Sequence, residues 1–268
     1  EVEEVGAAVK DVSPGDRVFC LGNHRLLQRH RRDRVVLLPE GLEPECAVFC
    51  RMMGITMSTL VTTTARPPDL VAVTGLGLVG LLGAQVFARC GYGVLACDPQ
   101  ESRRALAVEY GLADVRAELS PDDPAAGGRP ALVLECSGHE AAVLAGCRAV
   151  RRRGEVVLVG VPWERRSDVA AFDVLDAVFH NYAVLRSGWE WEVPRAREDF
   201  RPGSLFENYR AAMEWIAEGR VRVDGLAATR SPADCAEVYA ELREGNTEKL
   251  SALFDWRGLR AGKGGSGA

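Results

Sequence analysis

Leu70-Val71-Ala72-Val73-Thr74-Gly75-Leu76-Gly77-Leu78-Val79-Gly80 decides the fold. A short apolar run, read as a strand, passes directly into Gly-x-Gly-x-x-Gly, which opens an apolar-faced helix. In that setting Gly75 permits the tight turn, Gly77 lets a pyrophosphate approach the backbone, and Gly80 allows the helix to pack closely on the strand. The phosphate charge then meets the helix N-terminus, at Leu78 and Val79. The next strand ends at Asp98, 23 residues after Gly75, where an acid accepts hydrogen bonds from the adenosine ribose of a dinucleotide. Asp98 favours NAD over NADP because its charge repels a 2′-phosphate, while Arg103 and Arg104, one helical turn on, pull the other way. Arg103 and Val161 complete the expected coenzyme contacts. Methyltransferases that use S-adenosylmethionine share a glycine-rich first turn, but usually carry an acid just before it, where this chain has Thr74.

Outward from this motif, residues 70–186 alternate short apolar runs with amphipathic stretches, the text of β-α-β units in a parallel sheet buried on both faces. Strands are predicted at 70–74, 94–97, near Asp114, and at 131–135, 156–160 and 183–186. Helices are predicted at 78–89, 101–110, 140–151 and 172–179, with Gly91, Gly111 and Gly154 as left-handed caps after three of them. Before this domain the text gives short β-like pieces and a turn at Ser13-Pro14-Gly15-Asp16. After it come a Trp-rich excursion, a helix over 205–218 stopped by Gly219, a second helix starting at Ser231-Pro232, and a strand at 249–255. Residues 258–268, rich in Gly and Ser, are expected to be a disordered tail.

With 268 residues, 47% hydrophobic and 26% charged, the chain can bury a substantial core. A net charge of −5 argues against nucleic acid as a partner, because phosphate-backbone binding needs a clustered positive field. No run of about 18 apolar residues suggests a membrane span. The opening Glu1-Val2-Glu3-Glu4 lacks the layout of a signal peptide, so a cytoplasmic location is expected. The eight cysteines contain no C-x-x-C pair and read as small buried hydrophobes of a reduced protein.

Gly15-Asp16-Arg17-Val18, Leu38-Pro39-Glu40-Gly41-Leu42, the glycine motif, Glu135-Cys136-Ser137-Gly138 and Val157-Leu158-Val159-Gly160 together resemble the zinc-type medium-chain dehydrogenase/reductase superfamily. The similarity runs from Val5 to about Trp256. It implies an α/β fold in which a Rossmann doubly wound parallel sheet is inserted in a GroES-like β domain. Here that β domain looks incomplete. The implied organisation is a partial GroES-like catalytic domain at 1–50, a Rossmann domain at 51–187, and a return to the catalytic domain at 188–257. Arg51 to Met57 and Phe254-Asp255-Trp256 look most like a branch that contains bacteriochlorophyllide dehydrogenase and many actinobacterial oxidoreductases of secondary metabolism.

The family's first zinc-ligand cysteine, its Gly-His-Glu ligand motif and its proton relay have no counterpart before Val5, so a truncated N-terminus is expected, and no catalytic residue is assigned. The lobe with four close cysteines is also missing between Phe19 and Leu38. Gly138-His139-Glu140 spells the ligand motif in the wrong place, and His139 reads as a helix start. Cys50, 25 residues before Gly75, stands where the resemblance puts a further zinc ligand, with a buried core cysteine as the alternative. Trp189 and Trp191 are candidates for a substrate pocket, with core or interface packing as the alternative, and Trp215 for packing.

The resemblance thus implies an NAD-dependent oxidoreductase of the alcohol dehydrogenase type. It would act on a small molecule, a secondary alcohol or its ketone, with a cyclic or polyol substrate in view and zinc in the intact enzyme. Two alternatives stand beside it: a zinc-independent quinone or enone reductase of the same superfamily, and a non-catalytic dinucleotide-binding protein. A homodimer through the edge strand 183–186 is expected.

Overall fold

The computed structural model describes residues 1–122, 128–245 and 247–261. They divide into two units, Phe49–Arg222 and the flanking segments Glu1–Val48 with Val223 onward.

In the flanking unit the turn at Ser13-Pro14-Gly15-Asp16 closes through Asp16 N–H to the Ser13 carbonyl at 3.1 Å. It feeds β1 (Val18–Cys20), which pairs antiparallel with β2 (Val35–Leu37); α1 (Pro44–Ala47) follows.

The larger unit opens with α2 (Cys50–Thr62) and alternates from there. Its elements are β3 (Leu70–Thr74), α3 (Leu78–Arg89), β4 (Gly93–Cys97), α4 (Glu101–Glu109), β5 (Asp114–Arg116), β6 (Leu132–Glu135), α5 (Glu140–Ala149), β7 (Glu155–Leu158), α6 (Ala171–Asn181), β8 (Val184–Ser187) and α7 (Leu205–Ala217). Six parallel strands form one sheet in the order β5-β4-β3-β6-β7-β8. The order reverses at β3, so the crevice between β3 and β6 lies at the carboxyl edge where such sheets bind ligands. Val71, Ala72, Val73, Leu132, Val133, Leu134, Val156 and Val157 are fully buried, which is why these strands read as apolar runs without alternation.

The chain then returns to the flanking unit as β9 (Ala227–Arg230), α8 (Cys235–Glu244), β10 (Ser251–Phe254), parallel to β9, and α9 (Arg257–Ala261). Ser231 caps the short turn before α8, its hydroxyl accepting from Ala233 N–H at 3.2 Å.

Three expectations need correction. The segment 188–222 stays with the Rossmann unit, because α7 packs on α2: Tyr209 is wholly buried, a Cβ on Gly54 would come within 2.6 Å of its ring, and Asn208 Nδ2 donates to Ser58 Oγ at 3.3 Å. Residues 257–261 form α9 where a disordered tail was expected, with Arg257 donating to Asp255 and, at 2.7 Å, to Glu45; residues 262–268 lie outside the described residues. After α5 the left-handed residue is Arg153, at φ 64°, whereas Gly154 is needed because a Cβ would meet the Ala131 carbonyl at 2.8 Å.

α6 is apolar on two sides. Val174, Ala177 and Val178 face the core, while Phe172, Leu175 and Phe179, with Tyr182 just beyond, are each at least two-thirds exposed beside the open sheet edge of β8.

Candidate coenzyme site

The crevice is built from backbone. β3 ends at Thr74, whose hydroxyl is buried without a hydrogen-bond partner, and Gly75 turns the chain at φ +86°. A Cβ on Gly75 would stand 2.7 Å from Ser137 N, so only glycine lets the β3 and β6 loops meet. Gly80 answers the third requirement of the motif, since a Cβ there would lie 1.8 Å from the Gly75 carbonyl oxygen. Gly77 differs from both. It is the N-cap of α3, and a Cβ on it would meet nothing within 4 Å, which leaves open space where a ligand must approach. Leu78 and Val79 are half-buried in the first turn of α3, whose N–H groups have no partner inside the helix.

Asp98 directly follows β4 and is 2% exposed. Its Oδ2 accepts from Leu76 N–H at 2.8 Å and its Oδ1 from Gln100 N–H at 2.8 Å, so the carboxylate also latches the glycine loop to β4. Arg103 Nη1 stands 3.5 Å from Oδ2, whereas Arg104 turns to the Asp98 and Pro99 carbonyls. The latch was not legible in the sequence.

Nor was the role of Glu135. At the end of β6 it is fully buried and accepts from Ser137 N–H at 2.7 Å, from the Ser137 hydroxyl and from Gly138 N–H, which folds the loop facing Gly75. Burial pushes its carboxyl above the usual range, against the pull of these donors. Gly138, at φ +66°, lets the Val161 carbonyl come within 2.7 Å of where a Cβ would stand, and this places Val161 on the crevice beside the β6 loop. His139 is the N-cap of α5, its Nδ1 accepting from Ala141 N–H at 3.2 Å, in keeping with a helix start. The glycines, Asp98, Arg103 and Val161 therefore sit along one carboxyl edge, and the open face at Gly77 fits a dinucleotide.

The zinc-binding dehydrogenase family matches residues 79–205. Among curated relatives the chain is similar to an alcohol dehydrogenase of Geobacillus stearothermophilus, 27% identical over 82% of this chain and 71% of that one. Human sorbitol dehydrogenase is 27% identical over 95% of this chain and 77% of its own length. Of solved structures, galactitol-1-phosphate dehydrogenase from Escherichia coli aligns with a TM-score of 0.72 at 18% identity, covering 92% of this chain and 80% of the other. The family match and these relatives support a place in the medium-chain dehydrogenase/reductase superfamily. The alcohol and sorbitol dehydrogenases among them support an oxidoreductase.

The zinc that many medium-chain dehydrogenases carry finds no ligand set among the described residues. Among the described residues no three His, Cys, Asp or Glu side chains come together to hold a metal ion. Cys50 is wholly buried in the first turn of α2, and burial pushes its thiol far above the usual range. Beside it, Arg51 Nη2 donates to Glu190 Oε1 at 2.9 Å, and Tyr209 donates its hydroxyl to Glu190 Oε2 at 2.8 Å. This buried carboxylate ties α2, α7 and the segment after β8 together. The arrangement is that of a core.

The tryptophans divide as well. Trp215 is half-buried on α7, next to the buried Met213 and Ile216. The rings of Trp189 and Trp191 lie 5.8 Å apart and tilted at 51° after the carboxyl end of β8, where Trp191 is largely exposed and the indole N–H of Trp189 is buried without a partner. Trp163, on the loop after β7, carried no signal in the sequence, yet it is the most exposed of the four at 83%.

Proposed function

We propose that this chain is an NAD(H)-dependent oxidoreductase of the alcohol dehydrogenase type, interconverting a secondary alcohol, cyclic or polyol, and its ketone. The observation that carries the reading is the open backbone at Gly77, placed between the first turn of α3 and the Asp98-latched loop. The first-turn N–H groups of Leu78 and Val79 would receive the pyrophosphate charge. Asp98 and Arg103 would flank the adenosine ribose, and the negative charge of Asp98 would disfavour a 2′-phosphate. Glu135 holds the Ser137-Gly138 turn, and Val161 borders the opposite mononucleotide position. When bound, the nicotinamide supplies the hydride chemistry. The alcohol and sorbitol dehydrogenases among the relatives support the substrate class.

Two further elements belong to this reading. The eight unpaired cysteines support a reducing, cytoplasmic location. The open edge of β8 and the outward apolar stripe of α6 support a homodimer closed by a two-fold axis.

Titration with NADH and NADPH, followed by nicotinamide fluorescence, tests the coenzyme assignment. NADH is expected to bind at least about ten-fold tighter, a difference of about 1.4 kcal/mol. Asp98→Asn, which keeps an acceptor for Leu76 N–H, should narrow that preference, and equal affinities in the unmodified protein would refute the NAD assignment. Absorbance at the nicotinamide band with panels of secondary alcohols, polyols, quinones and enones then separates alcohol oxidation from quinone or enone reduction.

A further inference from the structure

The coenzyme reading leaves Trp163 unexplained. A tryptophan ring is a large apolar surface, and one left 83% exposed two residues after Val161 invites an occupant. Its loop is held at both ends. On the near side Val161 is packed against Gly138, a Cβ on Gly160 would stand 2.2 Å from Gly138 N, and Trp163 N–H donates to the Val161 carbonyl at 2.9 Å. On the far side Glu140, in the first turn of α5, accepts from Arg166 N–H at 3.0 Å and from the Ser167 hydroxyl at 3.2 Å. A short span is thus pinned between two anchors with one bare indole on it.

The position of that span along the crevice indicates the occupant. Contacts run from the glycine motif at Gly75 to Ser137, and from Gly138 to Val161, two residues before Trp163. Asp98 and Arg103 stand on the β4 side of the switch point, so the adenosine half belongs there, and the second mononucleotide falls over the β6 and β7 loops. We infer that Trp163 is a coenzyme-binding residue whose indole face covers the nicotinamide ring, and that it favours the oxidised ring. This rests on the dinucleotide reading above. Oxidised nicotinamide is a pyridinium cation and the reduced ring is neutral, so the negative face of an indole holds the first more strongly than the second.

The test compares dissociation constants of the oxidised coenzyme, the reduced coenzyme and ADP-ribose for the full chain and for Trp163→Ala and Trp163→Phe. If the protein prefers the phosphorylated coenzyme, 2′-phospho-ADP-ribose replaces ADP-ribose. Trp163→Ala should weaken the oxidised coenzyme about five-fold and the reduced one less, with ADP-ribose unchanged because it has no nicotinamide. Trp163→Phe should restore the oxidised coenzyme to within about two-fold. Unchanged affinity for the oxidised coenzyme in Trp163→Ala, or an equal loss for ADP-ribose, would overturn the inference while leaving the dinucleotide reading intact. Failure of the unmodified protein to bind ADP-ribose and either coenzyme would overturn both.

Discussion

The carboxyl-edge crevice and the polar core beneath α2 and α7 lie in one unit but are made in opposite ways. The crevice is shaped by missing side chains: Gly75, Gly80 and Gly138 let three loops touch through their backbones, and Gly77 leaves room for a guest. The polar core is shaped by side chains that arrive from far apart in the chain. Arg51 meets Glu190, and Glu155 is satisfied by Thr63, Thr64 and Arg186, with Arg186 also bonded to Glu192. A backbone site tolerates no added atom, whereas a side-chain network fails only when a partner is removed and degrades with protonation.

The largest effect should come from breaking the backbone rule. Gly80→Val places a branched side chain where even a Cβ would be 1.8 Å from the Gly75 carbonyl oxygen, and α3 must move off β3. A loss of about 3 kcal/mol in urea unfolding is expected, together with loss of coenzyme binding. A variant as stable as the parent would show that the crevice is not close-packed.

A smaller effect belongs to the network. Glu155→Gln leaves Arg186 with Glu192 as its remaining anion, so the cost should be about 2 kcal/mol at neutral pH, below that of a fully orphaned buried charge. Burial pushes the Glu155 carboxyl up, but the donors from Thr64 and the Arg186 guanidinium outweigh it and hold the group below its ordinary value of 4.5. A carboxyl lowered by folding stabilises fully above its unfolded value and loses that contribution as pH falls through the folded one. The gap between parent and variant in urea midpoints should therefore be constant near neutrality and close below pH 4.5. A gap that widens on acidification would contradict the network.

Least costly to the fold is a change on the lateral boundary, where β8 has no neighbour on its outer side among the described residues. Phe179 projects from the exposed face of α6, so Phe179→Glu should leave the unfolding midpoint almost unchanged. Sedimentation at micromolar concentration should give a dimer for the parent and at least about 30-fold weaker association for the variant. A parent that sediments as a monomer would show that the stripe has another use.

The same contrast explains what could be read before the structure. The crevice is written in short-range spacing: α3 occupies the predicted 78–89, β3 the predicted 70–74, and Asp98 directly follows the neighbouring strand. α2 carried no such signal, because a helix buried on several sides shows no polar face. Its hydroxyls also suggest loop, yet Thr56, Ser58 and Thr62 turn back to the carbonyls of Met53, Gly54 and Ser58 and so satisfy themselves inside the helix. Glu190 and Tyr209 could not be paired with Arg51 from spacing, since α7 is brought onto α2 only by tertiary packing. Missing α2 also misplaced the return to the catalytic domain at residue 188. Glu135 reads as the end of an apolar strand, and only its three donors show that it shapes a loop.

β3, from which the glycine motif hangs, is the one strand hydrogen-bonded to both β4 and β6 at the point where the sheet reverses. Gly75 N–H continues the ladder into the turn by donating to the Cys97 carbonyl at 2.8 Å, and Cys136 N–H does the same to Thr74 at 2.8 Å. The turn therefore cannot open without parting both halves of the sheet, so local opening there should cost nearly as much as global unfolding. By linkage, a small molecule that settles on this turn and not on the unfolded chain raises the unfolding free energy of the whole Rossmann unit, even though it touches only a few peptide groups.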